Sequence, residues 1–310
     1  MVKKIAISIT TNDSPAVIDS LIRNFSAASK QSHIFLHISK NSSFPVAEFV
    51  ELEYEFPNLV VNRTSAFTVW GNLFQGHLEN LHLIESDHSF SHFAFGATND
   101  MFVRKIPSEY FERFRAGYFN NLMSKGHSWF SASKVNDDPR LKKLNHFFGF
   151  EYGVQSQVEG SFYPTDFLSE ALKLMEKFDL RPHDRYPVEE IYLPTLARNL
   201  GLLPETEPYI FSEVQRYDQF RNLVHELRID LGSTKFLNIL AGVYRKYGGF
   251  EISKMDVEEI MEKSIPPIFR GAVLKYAFES PSISRGIFGV KRVPRDLDNE
   301  LRMYIERFFH

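Results

Sequence analysis

Two adjacent carboxylates, Glu189 and Glu190, follow Tyr186-Pro187-Val188 and precede Ile191-Tyr192-Leu193-Pro194-Thr195-Leu196, about 26 residues after Gly160-Ser161-Phe162-Tyr163. Pro187 suits the first turn of a helix, where a missing amide proton costs little, and acids are favoured at that positive end of the helix dipole. A carboxylate held there is rigidly aimed. At a cleft, Glu190 could remove a proton as a general base, a role that requires hydrogen-bond reach. From these residues alone the competing reading is that Glu189 and Glu190 only favour the helix start.

The elements that must position such a group are legible upstream. Ile5 to Thr10 reads as a buried strand, and Asn12-Asp13-Ser14-Pro15 as a cap before Val17, Ile18, Leu21, Ile22 and Phe25 at helical spacing. Ile34 to Ile38 and Leu59 to Val61 read as strands, Asn72 to Ile84 as a helix, and His92 to Ala97 as a strand. This alternation predicts an α/β fold with a mainly parallel sheet flanked by helices, whose ligands gather beyond the carboxyl ends of the strands. The loops after Thr10, Ile38 and Ala97 are therefore the places for a site. Past residue 211 the pattern becomes helical: Phe236 to Tyr244 after a Ser233 or Thr234 cap, Met255 to Lys263, Ile268 to Phe278 and Leu301 to Phe309. Residues 1–211 are expected to form the α/β domain and 212–310 a helical extension.

Composition bounds the function. The chain has 310 residues, 43% of them hydrophobic, enough to bury a large core. Its 36 basic and 39 acidic residues leave a net charge of -3, so nothing global points to nucleic acid. Without cysteine there are no disulfides, thiolate metal sites or cysteine nucleophiles, which fits a reducing compartment. The run Ile5-Ala6-Ile7-Ser8-Ile9 is too brief for a signal peptide core or a membrane span. The thirty phenylalanines imply an aromatic-rich core.

Five segments then occur in a recognisable order. They are Ile34-Phe35-Leu36-His37-Ile38-Ser39-Lys40-Asn41-Ser42, Val69-Trp70-Gly71-Asn72, Phe95-Gly96-Ala97-Thr98-Asn99-Asp100-Met101-Phe102, Gly160-Ser161-Phe162-Tyr163 and Pro187-Val188-Glu189-Glu190. Together, over roughly residues 4 to 200, they resemble the core 2/I-branching N-acetylglucosaminyltransferase and peptide O-xylosyltransferase family. The resemblance implies a GT-A-like fold and inverting glycosyl transfer from a nucleotide sugar, without a metal or other cofactor. It assigns the catalytic glutamate to Glu190. Ser39 replaces an acid that lies near the nucleotide in the family, and Phe162 replaces an acid of the xylosyltransferase branch.

An inverting transfer needs a base for the acceptor hydroxyl and something to neutralise the departing diphosphate. No Asp-x-Asp sits at an expected strand end: Asn99-Asp100 offers one carboxylate, and Asp296-x-Asp298 lies in the late region. The resembled family uses basic side chains instead, and Lys291, Arg292 and Arg295, after Gly289, are the candidates, since an arginine fork and a lysine charge suit a diphosphate. The alternative is that these cations are solvated or paired with Asp296 and Asp298. Thr10, His37, Lys40, Trp70 and Asp100 complete the expected donor-binding set, with Trp70 open to a core role and Asp100 to a capping role. Gly160, Ser161, Tyr163 and Glu189 form the expected acceptor set. His37, His77 and His82 lack metal-ligand spacing. Lys134, Arg140, Lys142 and Lys143 flank Asp137-Asp138-Pro139 in an expected loop, either solvent-exposed or facing an acceptor.

The expected protein is thus a cytoplasmic transferase, working at the inner face of a membrane or peripherally associated with it. Its partners would be a nucleotide sugar, with UDP as the leading nucleotide, and a saccharide or lipid-linked saccharide of surface polysaccharide assembly. A non-catalytic glycan- or nucleotide-binding module on the same fold is the alternative.

Overall fold

A computed structural model describes residues 4–211 apart from 70, 86, 126, 128 and 130, together with 254–263 and 286–309. The chain divides into two compact units, Met1–Thr98 with Ile106–Pro208, and Asn99–Lys105 with Tyr209–His310. The boundary expected at 211 therefore falls three residues earlier, and a short segment from inside the first stretch belongs to the second unit.

The first unit is built on a five-stranded sheet in the order β3-β2-β1-β4-β8, from β1 (Lys4–Thr11), β2 (Ser32–Ile38), β3 (Leu59–Val61), β4 (Phe90–Ala97) and β8 (Phe162–Pro164). The first four strands run parallel, and β8 joins β4 antiparallel. This is an α/β fold with a mainly parallel central sheet, compatible with Rossmann-like architecture, and its order reverses between β1 and β4. Side chains alternate across such a sheet. Ile7 and Ile9 of β1 share a face with Phe25 of helix α1 (Pro15–Ala28), as the close surroundings of Gly96 show. Ser14 caps α1 through the Val17 amide, and Pro15 occupies its first turn, as the spacing predicts.

Helix α3 (Phe74–Ile84) covers the opposite face and starts two residues later than expected. Gly76 lets it approach closely: a Cβ there would stand 2.6 Å from Thr10 Cγ2 and 2.7 Å from His37 Nδ1. A polar cluster lies beneath it. Ser8 Oγ is 2.8 Å from His77 Nδ1, and Asn80 Nδ2 donates to Ser8 Oγ and to the Phe35 carbonyl, at 2.9 and 2.7 Å. Burial pushes His77 down to about 3, so the imidazole is neutral.

Shorter elements complete this unit: α2 (Val46–Val50), α4 (Tyr110–Arg113), β6 (Asn121–Leu122), α5 (Ala132–Asn136), α6 (Pro139–Phe147), β7 (Val154–Gln155), α7 (Thr165–Lys177) and α8 (Tyr192–Asn199). The loop expected around Asp137-Asp138 is in fact the junction of α5 and α6. The Asp138 side chain accepts from the Arg140 amide and caps α6, with Pro139 in the first turn.

The second unit contains β5 (Met101–Phe102), β9 (Ile210–Phe211), α9 (Lys254–Lys263), β10 (Gly289–Val290) and α10 (Glu300–Glu306). β10 pairs antiparallel with β5 and parallel with β9, so this region is not wholly helical as expected. Its apolar core includes Met101, Val103, Val257, Ile260, Val290, Val293 and Ile305. The helices expected over Phe236–Tyr244 and Ile268–Phe278 lie outside the described residues.

Candidate active site

Four of the five sequence motifs lie wholly within the first unit, and loops carrying three of them are bonded to the carboxyl ends of β2 and β4. Loop 62–73 is pinned to the end of β2: the Ala66 amide donates to His37 Nε2 at 2.8 Å, the Lys40 amide to the Ala66 carbonyl at 2.9 Å, and the Thr68 amide to Ser39 Oγ at 3.1 Å. The same loop reaches the segment before Glu190, because a Cβ on Gly71 would lie 3.6 Å from the Asp184 carbonyl. Phe74 meets Tyr192 edge-on, with centroids 6.2 Å apart. Gly160 and Ser161 bond to β4 through Phe95, at 2.8 and 3.0 Å.

The helix expected to open at Pro187 is instead a 3-10 turn, Val188–Glu190, and α8 starts at Tyr192. Ile191 at φ -118° breaks the run, and Pro194 fits the first turn of α8, where its missing donor is not needed. Glu190 ends this turn half-buried. Its carbonyl accepts from the Ser156 amide at 2.9 Å, and its Oε2 accepts from Gln155 Nε2 at 2.9 Å. Gln155 is oriented in turn by Asn121, whose Nδ2 donates to Gln155 Oε1 at 3.1 Å across the β6–β7 pair. A carboxylate fixed at both backbone and side chain is preorganised for proton removal.

A second clasp holds the approach to the turn. The Tyr186 hydroxyl donates to the fully buried Asp138 carboxylate at 2.9 Å, which also pairs with Arg140 at 2.8 Å. Burial alone would raise Asp138, but the bonds from Arg140 and Tyr186 outweigh it and hold the acid well below the usual carboxylate range. Neither Gln155 nor Asp138 stood out as a site residue in the sequence. Asp138 did show the Asp-Pro signature of a helix cap, whereas Gln155 on a two-residue strand carries no local signal.

Other expected site residues are placed differently. His37 is fully buried; burial lowers its pKa, and its Nε2 is engaged by Ala66. The Ser161 hydroxyl donates to the Val158 carbonyl at 2.6 Å, in a turn where Gly160 takes φ 78°. Tyr163 is 1% exposed and stacked on Tyr118. His37 and Tyr163 serve packing, because alternation along β2 and β8 turns them into the interior, and Ser161 is tied up within the turn before β8. Glu189 is buried as well. Thr10 is half-buried against α3, and Lys40 is exposed at the end of β2. Trp70 lies outside the described residues. Phe67, 56% exposed on the pinned loop, is an aromatic surface that the sequence did not single out.

Asp100, Lys291, Arg292 and Arg295 belong to the second unit. Val290 pairs with Met101, and one further step of that register sets Lys291 opposite Asp100. The next bond joins the Val293 amide to the Asn99 carbonyl at 2.9 Å. Arg292 is thus the extra residue of a bulge, and it takes the left-handed φ of 69°. Asp100, expected either to cap the next segment or to meet the donor, is fully buried. Arg295 is exposed, while Lys291 and Arg292 are half-buried.

Near the amino ends of the strands a separate cleft of about 830 Å³ is lined by Ile5, Phe90, His92, Arg115, Asp166 and Glu205. In it Arg115 pairs with Asp166 at 3.4 Å, and its amide donates to Glu205 at 2.7 Å. Among the described residues, no group of three His, Cys, Asp or Glu is placed to hold a metal. Compared with models of known protein families and with curated proteins, the chain matches none.

Proposed function

We propose that the chain is an inverting, metal-independent glycosyltransferase of GT-A type. It would move a sugar from a nucleotide sugar, UDP-linked in the first instance, to a hydroxyl of a saccharide or lipid-linked saccharide in surface polysaccharide assembly. The observation that carries the reading is the Glu190 carboxylate, held by Gln155 on a turn beside the strand-end loops of a mainly parallel sheet. In this reading Glu190 takes the proton of the acceptor hydroxyl, and the acceptor oxygen bonds to the anomeric carbon from the side opposite the departing nucleoside diphosphate. The anomeric carbon–oxygen bond to that diphosphate breaks with its electrons staying on the phosphate. Lys291, Arg292 and Arg295 are the proposed cations for the diphosphate, and cytoplasmic action is part of the same proposal.

Glu190→Gln tests the assignment. The amide keeps the shape and can still meet Gln155 but has no basicity, so turnover should fall by roughly 100-fold or more while donor affinity persists. Turnover near the wild-type level in that variant removes Glu190 from the role. One observation favours a second reading, a binding module without turnover: Ser39, where the resembled family carries an acid, has its hydroxyl engaged with Thr68. Nucleotide-sugar binding by the wild-type chain with no transfer to any acceptor would support that module.

A further inference from the structure

The outer face of α6 carries Lys142, Lys143, His146 and Phe147, and the helix contains no acid. Phe147 is 58% exposed. Lys177, at the end of α7, stands over its ring at 4.2 Å, and Phe148 and Phe178 pack edge-on against it at 5.0 and 5.4 Å. The aromatic is therefore half-exposed with one ammonium over its ring, and Lys142 and Lys143 lie on the same helix face. Among the described residues, Lys143, His146 and Lys177 form no ion pair with an acid, while Lys142 meets the exposed Asp137 at 3.4 Å. Of the nearby acids, Asp138 is buried against Arg140 and Asp179 pairs with Arg181 at 2.6 Å, while Glu176 is exposed beside Lys177 at the end of α7. On a chain whose net charge is -3, this face concentrates cations around an exposed apolar group.

We propose that this face docks on an anionic phospholipid surface. Helices that lie at such an interface pair an apolar anchor with lysines, whose long stems let the ammonium reach the headgroups while the apolar group sinks below them. Three lysines and one phenylalanine give reversible peripheral binding, not insertion, and no helix among the described residues is long and apolar enough to cross a membrane. Each lysine close to an anionic bilayer strengthens partitioning by about fivefold. The inference is independent of the glycosyltransferase reading, since its test measures no turnover.

Co-sedimentation of the full chain with phosphatidylcholine vesicles, with and without about one-third phosphatidylserine, reads the effect directly. Binding should appear only on the phosphatidylserine vesicles and weaken steeply at high salt. The triple change Lys142→Gln, Lys143→Gln and Lys177→Gln should lower it by roughly 100-fold. Phe147→Ser alone should lower it by roughly tenfold, with the circular dichroism spectrum unchanged. Equal binding to neutral vesicles, or full binding by the triple variant, would overturn the proposal. So would a wild-type chain that ignores vesicles but self-associates through Phe147, which would assign the face to a second copy.

Discussion

Gly76→Ala sets two large effects against each other at one atom. Within helix α3, alanine should be favoured over glycine by about 1 kcal/mol. The added methyl would stand 2.6 Å from Thr10 Cγ2 and 2.7 Å from His37 Nδ1, well inside any real carbon contact. Neither neighbour can retreat. Thr10 belongs to the central strand β1, and His37 is fully buried with its other nitrogen bonded to Ala66. Overpacking of this kind costs about 1–3 kcal/mol, and the rigidity on both sides argues for the upper end. The net expectation is a loss of about 2 kcal/mol. Urea unfolding followed by far-ultraviolet circular dichroism measures it as a lower midpoint at unchanged slope. An alanine variant as stable as the wild type would show that α3 can shift without cost and would refute the close-packing argument.

Stability should also fall as pH drops, because His77 is buried neutral at about 3 against an ordinary 6.5. The unfolded chain takes up this proton first, so the contribution is full above 6.5 and is lost progressively toward 3; His77→Asn should flatten the slope of unfolding midpoint against pH by about one proton. Arg292→Gly removes the left-handed strain of φ 69°, worth about 1 kcal/mol, so the fold should persist while UDP affinity falls about tenfold and uridine affinity does not. Equal titration curves for both ligands before and after the change would place Arg292 outside the donor site. If Lys291, Arg292 and Arg295 act as the proposed counter-charges, transfer measured in excess EDTA should equal transfer with added manganese. A strict need for the ion would count against that assignment.

Much of the first unit was legible because its signals are local. The strands at Ile5–Thr10, Ile34–Ile38 and Leu59–Val61 are apolar runs that need no partner to be recognised, and Ser14-Pro15 marks the start of α1 by capping chemistry alone. The Met255–Lys263 helix followed from spacing in the same way. The two-residue strands β5, β6, β7, β9 and β10 carry no such period, so pairing across the sequence decides them. For that reason the bulge at Arg292 was hidden until β10 met β5.

The sequence by itself determined which residue types were available: a pair of acids after Pro187, a Trp-Gly loop, a basic run after Gly289, and strand ends at which ligands gather. Which side chains can face a ligand was decided only by tertiary structure. His37, Ser161 and Tyr163 share the chemistry of site residues, yet His37 is buried under α3, Ser161 in the turn before β8 and Tyr163 against Tyr118. Gln155, with no local signal, and Asp138, marked only as a helix cap, became the groups that hold the Glu190 turn and the approach to it, because distant segments were brought within hydrogen-bond reach. The physical reason is range: helix caps and strand periods act over a few neighbours, whereas burial and hydrogen-bond partnership depend on contacts between residues far apart in the chain.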